Sequence, residues 1–162
     1  MFAEQNSKVP SVAPEPKDPV LQQALTAAAA AHGVPRELLR AVAYVESRYV
    51  TTARNPKSGA LGWFQFMPQT AAGYGIDPLN PVQAADGAAR YLRWAWQTFA
   101  QDWSLALAAY NWGPERVKGH PDPGTWPRGV IDYAYAVYAG AGWPVPFYGE
   151  VTMLPASRSR RA

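Results

Sequence analysis

Between Asn80 and Phe99 the chain places Val82, Ala85, Ala89, Leu92, Trp96 and Phe99 at intervals of 3, 4, 3, 4 and 3. On an α-helix this spacing gathers all six on one face; on a strand it would scatter them to both sides. Asn80-Pro81 supplies the start, because an Asn side chain can accept from the free N–H groups of the first turn and a proline at the next position has no N–H to leave unpaired. The same punctuation recurs. Asp18-Pro19 opens an alanine-rich helix over 19–32 that Gly33 stops. A second helix starts at Pro35 and carries Leu38, Leu39, Val42 and Val45 toward Tyr49. A short helix follows Pro68 and ends near Gly73 or Gly75. Asp102 caps another over 103–111 that ends at Gly113-Pro114, and a last one runs near 128–139, stopped by Gly140 and Gly142. Residues 51–62 have no periodicity and read as a loop. No period-2 pattern and no internal repeat emerges, so the fold class is all-α.

A length of 162 residues favours one domain, and such a chain can bury a core without staples. It has no cysteine, which excludes disulfides and thiolate metal or redox sites. The histidines are His32 and His120, far apart in sequence, so a His-rich metal site is not expected and no cofactor is implied. A net charge of +3 suits an anionic polymer or surface without choosing among nucleic acid, cell wall and membrane. No apolar run is long enough to span a bilayer, and the N-terminus lacks the charged-then-apolar pattern of a leader. Closely spaced Pro10, Pro14 and Pro16 mark residues 1–17 as an extended arm. The folded domain is expected over 18–142, followed by an irregular basic tail, 143–162, with Arg158, Arg160 and Arg161.

One carboxylate stands out. Glu46 is i+7 from Leu39 and i+4 from Val42, so it shares their apolar stripe. Loss of hydration disfavours the charged form and raises the pKa, which is what a general acid near neutral pH requires. The structural alternative is a Glu at the stripe's edge, solvated or paired with Arg40 or Arg48.

Other segments bear on that choice. Glu46-Ser47 lies near the end of a helix; Gly62-Trp63-Phe64-Gln65-Phe66-Met67-Pro68 follows; Ala109-Tyr110-Asn111-Trp112-Gly113-Pro114 comes third; and Tyr133 lies on the last helix. In that order and approximate spacing they resemble the catalytic domain of the soluble lytic transglycosylases, which has a goose-type-lysozyme-like fold. The resemblance covers residues 34–140. It implies a helical domain with a groove for peptidoglycan glycan strands, cutting the β-1,4 bond between N-acetylmuramic acid and N-acetylglucosamine with closure of a 1,6-anhydro ring. It implies that Glu46 is the single acid/base. Ser47 would touch the sugar or orient Glu46; Gln65, Phe66, Met67, Tyr110 and Asn111 would line the groove; Tyr133 would point at Glu46 and hold it. Gly62 would let the backbone approach the substrate.

Trp63, Trp112 and Trp126 are each candidates for sugar stacking or for partial core, whereas Trp94 and Trp96 read as packing residues. The pattern departs from the family at Trp63-Phe64, where Leu-Met is usual, at Trp112, where Ala is usual, and at Gly129-Val130, where Glu-Thr is common. Trp63 and Phe64 are therefore where a substrate preference of this chain's own is expected. Hydrolytic glycosidases usually need a second carboxylate. None occurs between Glu46 and Asp77, although Asp77 or Asp86 could fold back toward the site. The competing readings are a hydrolytic muramidase and a non-catalytic glycan-binding component of a virion or secretion assembly. Action in the periplasm or cell wall without a visible leader fits an enzyme carried by a phage particle or seated in a secretion or conjugation machine, with protein partners there. Neither specific nucleic acid binding nor membrane insertion is expected.

Overall fold

The computed structural model describes residues 11–146. Seven α-helices follow in order: α1 Pro19–His32, α2 Arg36–Ser47, α3 Pro68–Tyr74, α4 Pro81–Thr98, α5 Trp103–Trp112, α6 Pro114–Gly119 and α7 Arg128–Ala141, with one 3-10 turn at Pro123–Thr125. Among the described residues β-pairing is limited to isolated bridges of Leu61 with Arg54 and Phe66. None of the described helices is long and apolar enough to cross a membrane.

The caps act as their residue types dictate. Asp18 accepts from Val20 N, Asn80 from Val82 N and Gln83 N, and Asp102 from Ser104 N and Leu105 N. Each such cap stabilises a helix by ~1 kcal/mol. Helix α2 ends two residues short of Tyr49, because Arg48 and Tyr49 both take left-handed backbone, φ 54° and 68°.

The helices pack mainly as α1 on α4, α2 on α7, and α5 against α4, α6 and α7. The larger core joins Leu25, Leu38, Leu39, Val42, Leu92, Tyr133 and Val137 with the fully buried Trp63 and Phe64. A second cluster beneath α5 and α6 holds Phe99, Val117, Trp126 and Ile131.

Several expectations need correcting. Gly140 does not stop α7. It lies inside the helix, where an added Cβ would come within 3.1 Å of Ala41 Cβ, so its smallness serves the close approach of α7 to α2. Helix α6 escaped notice because six residues with one buried apolar side chain, Val117, carry no period. Val82 is exposed: it sits in the first turn of α4, and the buried stripe begins with Ala84 and Ala85. The segment 51–62 is not loose. Asn55 accepts from the backbone of Lys57 and Ser58, and its own N–H donates to Ala60 O.

Packing contacts also occur on both sides of residues 18–142. Residues 11–17 are extended but packed: Ala13 and Pro16 are buried, and Glu15 pairs with Arg36 and Arg40. Trp143 packs on Trp103 and Tyr138. Residues 1–10 and the arginine tail, 147–162, lie outside the described residues.

Gly62 has φ +77°, and a Cβ there would fall 1.8 Å from Pro78 O. The close neighbour that demands a glycine is thus protein backbone and not substrate. Gly59 has φ +79° but open space around it. Urea denaturation is expected to show Gly59→Ala losing ~1 kcal/mol from backbone strain alone and Gly62→Ala losing ~4 kcal/mol or failing to fold. Equal losses would mean that the Pro78 contact relaxes freely.

Candidate active site

Glu46 occupies the last turn of α2, on the face turned toward α7. The residue is half-buried by surface area, and its Oε1 accepts from the hydroxyl of the buried Tyr133 on α7 at 2.8 Å. Burial pushes the Glu46 pKa up from 4.5 to about 7; the Tyr133 hydroxyl, which favours the carboxylate, opposes that rise only in part. Burial and the nearby Glu46 charge also hold the Tyr133 phenol well above its ordinary range, so it stays a neutral donor. The edge-of-stripe alternative, with an arginine partner, is not what the structure shows. Arg40 pairs with Glu15, and the Arg48 guanidinium lies over the Tyr44 ring, 4.3 Å from its centre.

The run 62–67 is braced from two helices by its carbonyls. Ser47 Oγ donates to Trp63 O at 2.8 Å, and Tyr110 OH donates to Phe64 O at 2.7 Å. Ser47 therefore ties the end of α2 to this turn. The side chains of Trp63 and Phe64 are wholly buried, and Trp63 Nε1 donates to Pro81 O. They cannot stack on a sugar or set a substrate preference, which corrects both expectations. Gln65 takes left-handed backbone, φ 52°, and its Nε2 folds back to donate to Gly62 O at 2.8 Å.

A cavity of about 260 Å³ opens beside this turn. Gln65, Phe66, Met67, Tyr110 and Asn111 all line it, together with Trp112. Phe66 is nearly wholly buried and forms its floor; Met67 and Asn111 are exposed at the rim. Glu46 is not part of that lining. Tyr110 connects the two, since it lines the cavity and stands close enough for the Glu46 charge to add to the burial that raises its phenol.

Of the three tryptophans considered for stacking, Trp112 alone lines the cavity, while Trp126 is buried and donates from Nε1 to His120 O. Trp96 stacks on Trp103, but Trp94 is exposed and touches Tyr91 by its edge. Sequence reasoning missed Tyr91, which lines the cavity and donates to Ala109 O at 3.0 Å. The available signal was a tyrosine one position off the apolar stripe of α4. Asp86 does not fold back to the site: it pairs with His32 at 2.6 Å and Arg90 at 2.9 Å. Asp77 accepts from Leu79 N at the start of its own turn. Among the described residues no cluster of His, Cys, Asp and Glu could hold a metal ion.

Comparison with known proteins follows the same lines. The family model described as Transglycosylase SLT domain matches residues 23–121. Peptidoglycan transglycosylase gp16 of Escherichia phage T7 is 40% identical over 110 residues, covering 63% of this chain and 8% of that protein. Membrane-bound lytic murein transglycosylase F 2 of Alkalilimnicola ehrlichii is 34% identical over 113 residues, covering 65% of this chain and 24% of that protein. The chain therefore spans a small part of these relatives. Among solved structures, lytic transglycosylase Slt of Pseudomonas aeruginosa superposes with a TM-score of 0.64 at 25% identity, covering 74% of this chain and 23% of that one. The 70 kDa soluble lytic transglycosylase of Escherichia coli does so with a TM-score of 0.61 at 22% identity, over 74% of this chain and 23% of that one, and it shares the fold.

A folded-state pKa raised above the unfolded value means that the folded protein binds the extra proton between the two. The contribution of Glu46 to stability is thus fully present below 4.5 and is lost as pH rises through about 7. Glu46→Gln removes that loss. Chemical denaturation at pH 4 and pH 8 is expected to show the variant gaining up to ~3 kcal/mol on the wild type between the two pH values. A constant difference would show that Glu46 ionises without penalty.

Proposed function

The chain belongs to the Transglycosylase SLT domain family, and from that premise we propose that it is a peptidoglycan lytic transglycosylase with Glu46 as its single acid/base. The observation that carries the reading is a half-buried carboxyl bonded to one buried hydroxyl, with its pKa raised to about 7, near a groove of polar and aromatic groups. Every other carboxylate among the described residues has an engagement elsewhere. Asp18, Asp102 and Asp122 cap helices, Asp77 closes a turn, and Glu15, Asp86, Glu115 and Asp132 pair with cations. Glu37 accepts from Trp143 Nε1. Nothing among them stands ready as the second carboxylate that glycoside hydrolysis usually requires.

The reaction then runs on one group. Protonated Glu46 gives its proton to the glycosidic oxygen as the bond from muramyl C1 breaks, and N-acetylglucosamine leaves with its hydroxyl restored. The carboxylate so formed takes the proton of the muramyl C6 hydroxyl, whose oxygen closes on C1. The product is a 1,6-anhydro ring, Glu46 is again protonated, and no water is consumed. Tyr133 holds the carboxyl through both halves and steadies the charged form between them. Gln65, Asn111 and Tyr110 line the groove where amide and hydroxyl groups of N-acetyl sugars would lie. The named activities of the phage and bacterial relatives support this substrate. The Pseudomonas structure is of an inactive variant in which a glutamate is replaced by glutamine, which agrees with dependence on one carboxyl. The phage relative further supports local opening of the wall by a phage-borne protein working with partners of a larger assembly.

Digestion of purified peptidoglycan with mass analysis of the muropeptides tests the reading. Anhydro ends, lighter by one water than reducing ends, are expected. Reducing ends would assign hydrolysis, and an inert, folded protein would leave only a glycan-binding role. Glu46→Gln should lower the rate by about 10²–10⁴-fold with glycan affinity nearly unchanged. The wild-type rate should fall as pH rises through about 7, where the acid loses its proton. Tyr133→Phe removes the bond that favours the carboxylate, so its basic limb should move to higher pH and not lower.

A further inference from the structure

The Glu46–Tyr133 hydrogen bond joins two separate helices, so its length depends on how α2 and α7 sit against each other. A segment N-terminal to α1 bonds to both. Ala13 N donates to Gly140 O of α7 at 2.8 Å. Glu15 accepts from Arg36 Nη1 and Nη2 at 2.7 and 2.9 Å and from Arg40 Nη1 at 2.7 Å, all on α2. Pro14 O accepts from the hydroxyl of Tyr49, just beyond the end of α2. Pro16 is buried and its carbonyl accepts from Gln22 Nε2 of α1 at 2.8 Å.

The attachment points bear on the site. Gly140 follows Tyr133 by seven residues, two turns along the same face of α7. On α2, Arg36 is the first residue and Tyr49 lies past the last, so the helix carrying Glu46 is held at both ends. Tyr49 also completes a pair of left-handed residues, Arg48 and Tyr49, immediately after Glu46-Ser47. Two non-glycine residues in that conformation are strained and persist only where neighbours hold them. The Pro14 carbonyl and the Tyr44 ring, 5.3 Å from the Tyr49 ring, are such neighbours. The family match begins at residue 23, so this segment lies outside it.

We propose that Ala13–Pro16 is a positioning strap that sets the register of α2 against α7, and with it the Glu46–Tyr133 bond, through the positioning residues Glu15 and Tyr49. The proposal rests on the functional reading only for its effect on rate; its effect on the Glu46 carboxyl does not need that reading. The Glu15 pKa is held down to about 2 by the hydrogen bonds from Arg36 and Arg40, so the Glu15 anchor is fully present above the ordinary carboxylate range and does not titrate where Glu46 does.

The test compares Glu15→Gln, Tyr49→Phe and Val117→Ala in the full chain. The first two loosen the strap; the third thins the second core, away from it. The measurement is the titration of the Glu46 carboxyl by NMR, beside the melting temperature and the pH–rate profile on peptidoglycan. If the strap sets the register, Glu15→Gln and Tyr49→Phe lengthen the Tyr133 bond. The Glu46 midpoint then rises by about half a pH unit or more, and kcat falls about 3–10-fold with KM little changed. Val117→Ala lowers the melting temperature and leaves the midpoint in place. A merely structural strap would lower the melting temperature of the first two with no change in the midpoint, and that result overturns the proposal. A midpoint that moves in all three overturns it as well, because general loosening would then suffice. Should Glu15→Gln not fold, Tyr49→Phe decides, since it removes one hydroxyl and little else. If the wild type proves inert on peptidoglycan, the functional reading fails while the titration still decides the strap.

Discussion

A half-buried carboxyl between α2 and α7 sets the terms for everything around it. Full hydration would return Glu46 to the ordinary carboxylate range, so its raised pKa depends on the cover that α2 and α7 give it. Such cover cannot leave the carboxyl unpaired without cost, so one donor is supplied, from Tyr133. A cationic partner would have satisfied the group equally well but would have made it a permanent carboxylate. Arg40 and Arg48 are near in sequence, yet one is drawn to Glu15 and the other lies on an aromatic face. A neutral donor leaves the carboxyl able to hold its proton near neutral pH; an arginine would not.

The same constraint explains the aromatic run at 62–67. Its large side chains, Trp63 and Phe64, go inward and fill the core under the end of α2. Its carbonyls do the positioning, accepting from Ser47 on one side and Tyr110 on the other. The motif is therefore less a set of substrate-facing side chains than a buried wedge whose backbone locks the acid-bearing helix to the helix that lines the groove. The polar residue in its middle, Gln65, takes left-handed backbone, lines the groove and folds its Nε2 back on Gly62 O.

How much of this the sequence disclosed follows from which interactions are local. Caps at Asp18, Asn80 and Asp102 involve groups two or three residues apart, so residue type alone declares them. The position of Glu46 on the stripe of Leu39 and Val42 is likewise a matter of helical spacing, and its partial burial was legible from it. Gly140 was misread because its neighbour is Ala41, about a hundred residues away, and close helix approach leaves no mark in local composition. The prolines of residues 10–16 suggested an arm for a related reason. Extended chain carries no periodicity whether it is packed or free, and the groups that hold this one, Arg36, Arg40, Tyr49 and Gly140, belong to other elements. Trp63 and Trp112 could not be told apart in sequence, since an aromatic ring suits a core and a groove equally, and only the fold assigns one to each.

The costs gathered at the site bear on how the rest of the molecule is built. A desolvated acid and two successive left-handed residues both work against folding, and both sit within the four residues from Glu46 to Tyr49. Neither can be relieved locally without changing the acid's environment or the path of the chain away from it. The compensation is placed at a distance, in the fully buried leucines of α2, in the tight α2–α7 contact at Gly140, and in the ion pairs of Glu15. Such an arrangement leaves the Glu46 carboxyl little mobility. Reach has to come from the groove side instead, where Met67 and Asn111 are exposed and free of the packing that immobilises Glu46.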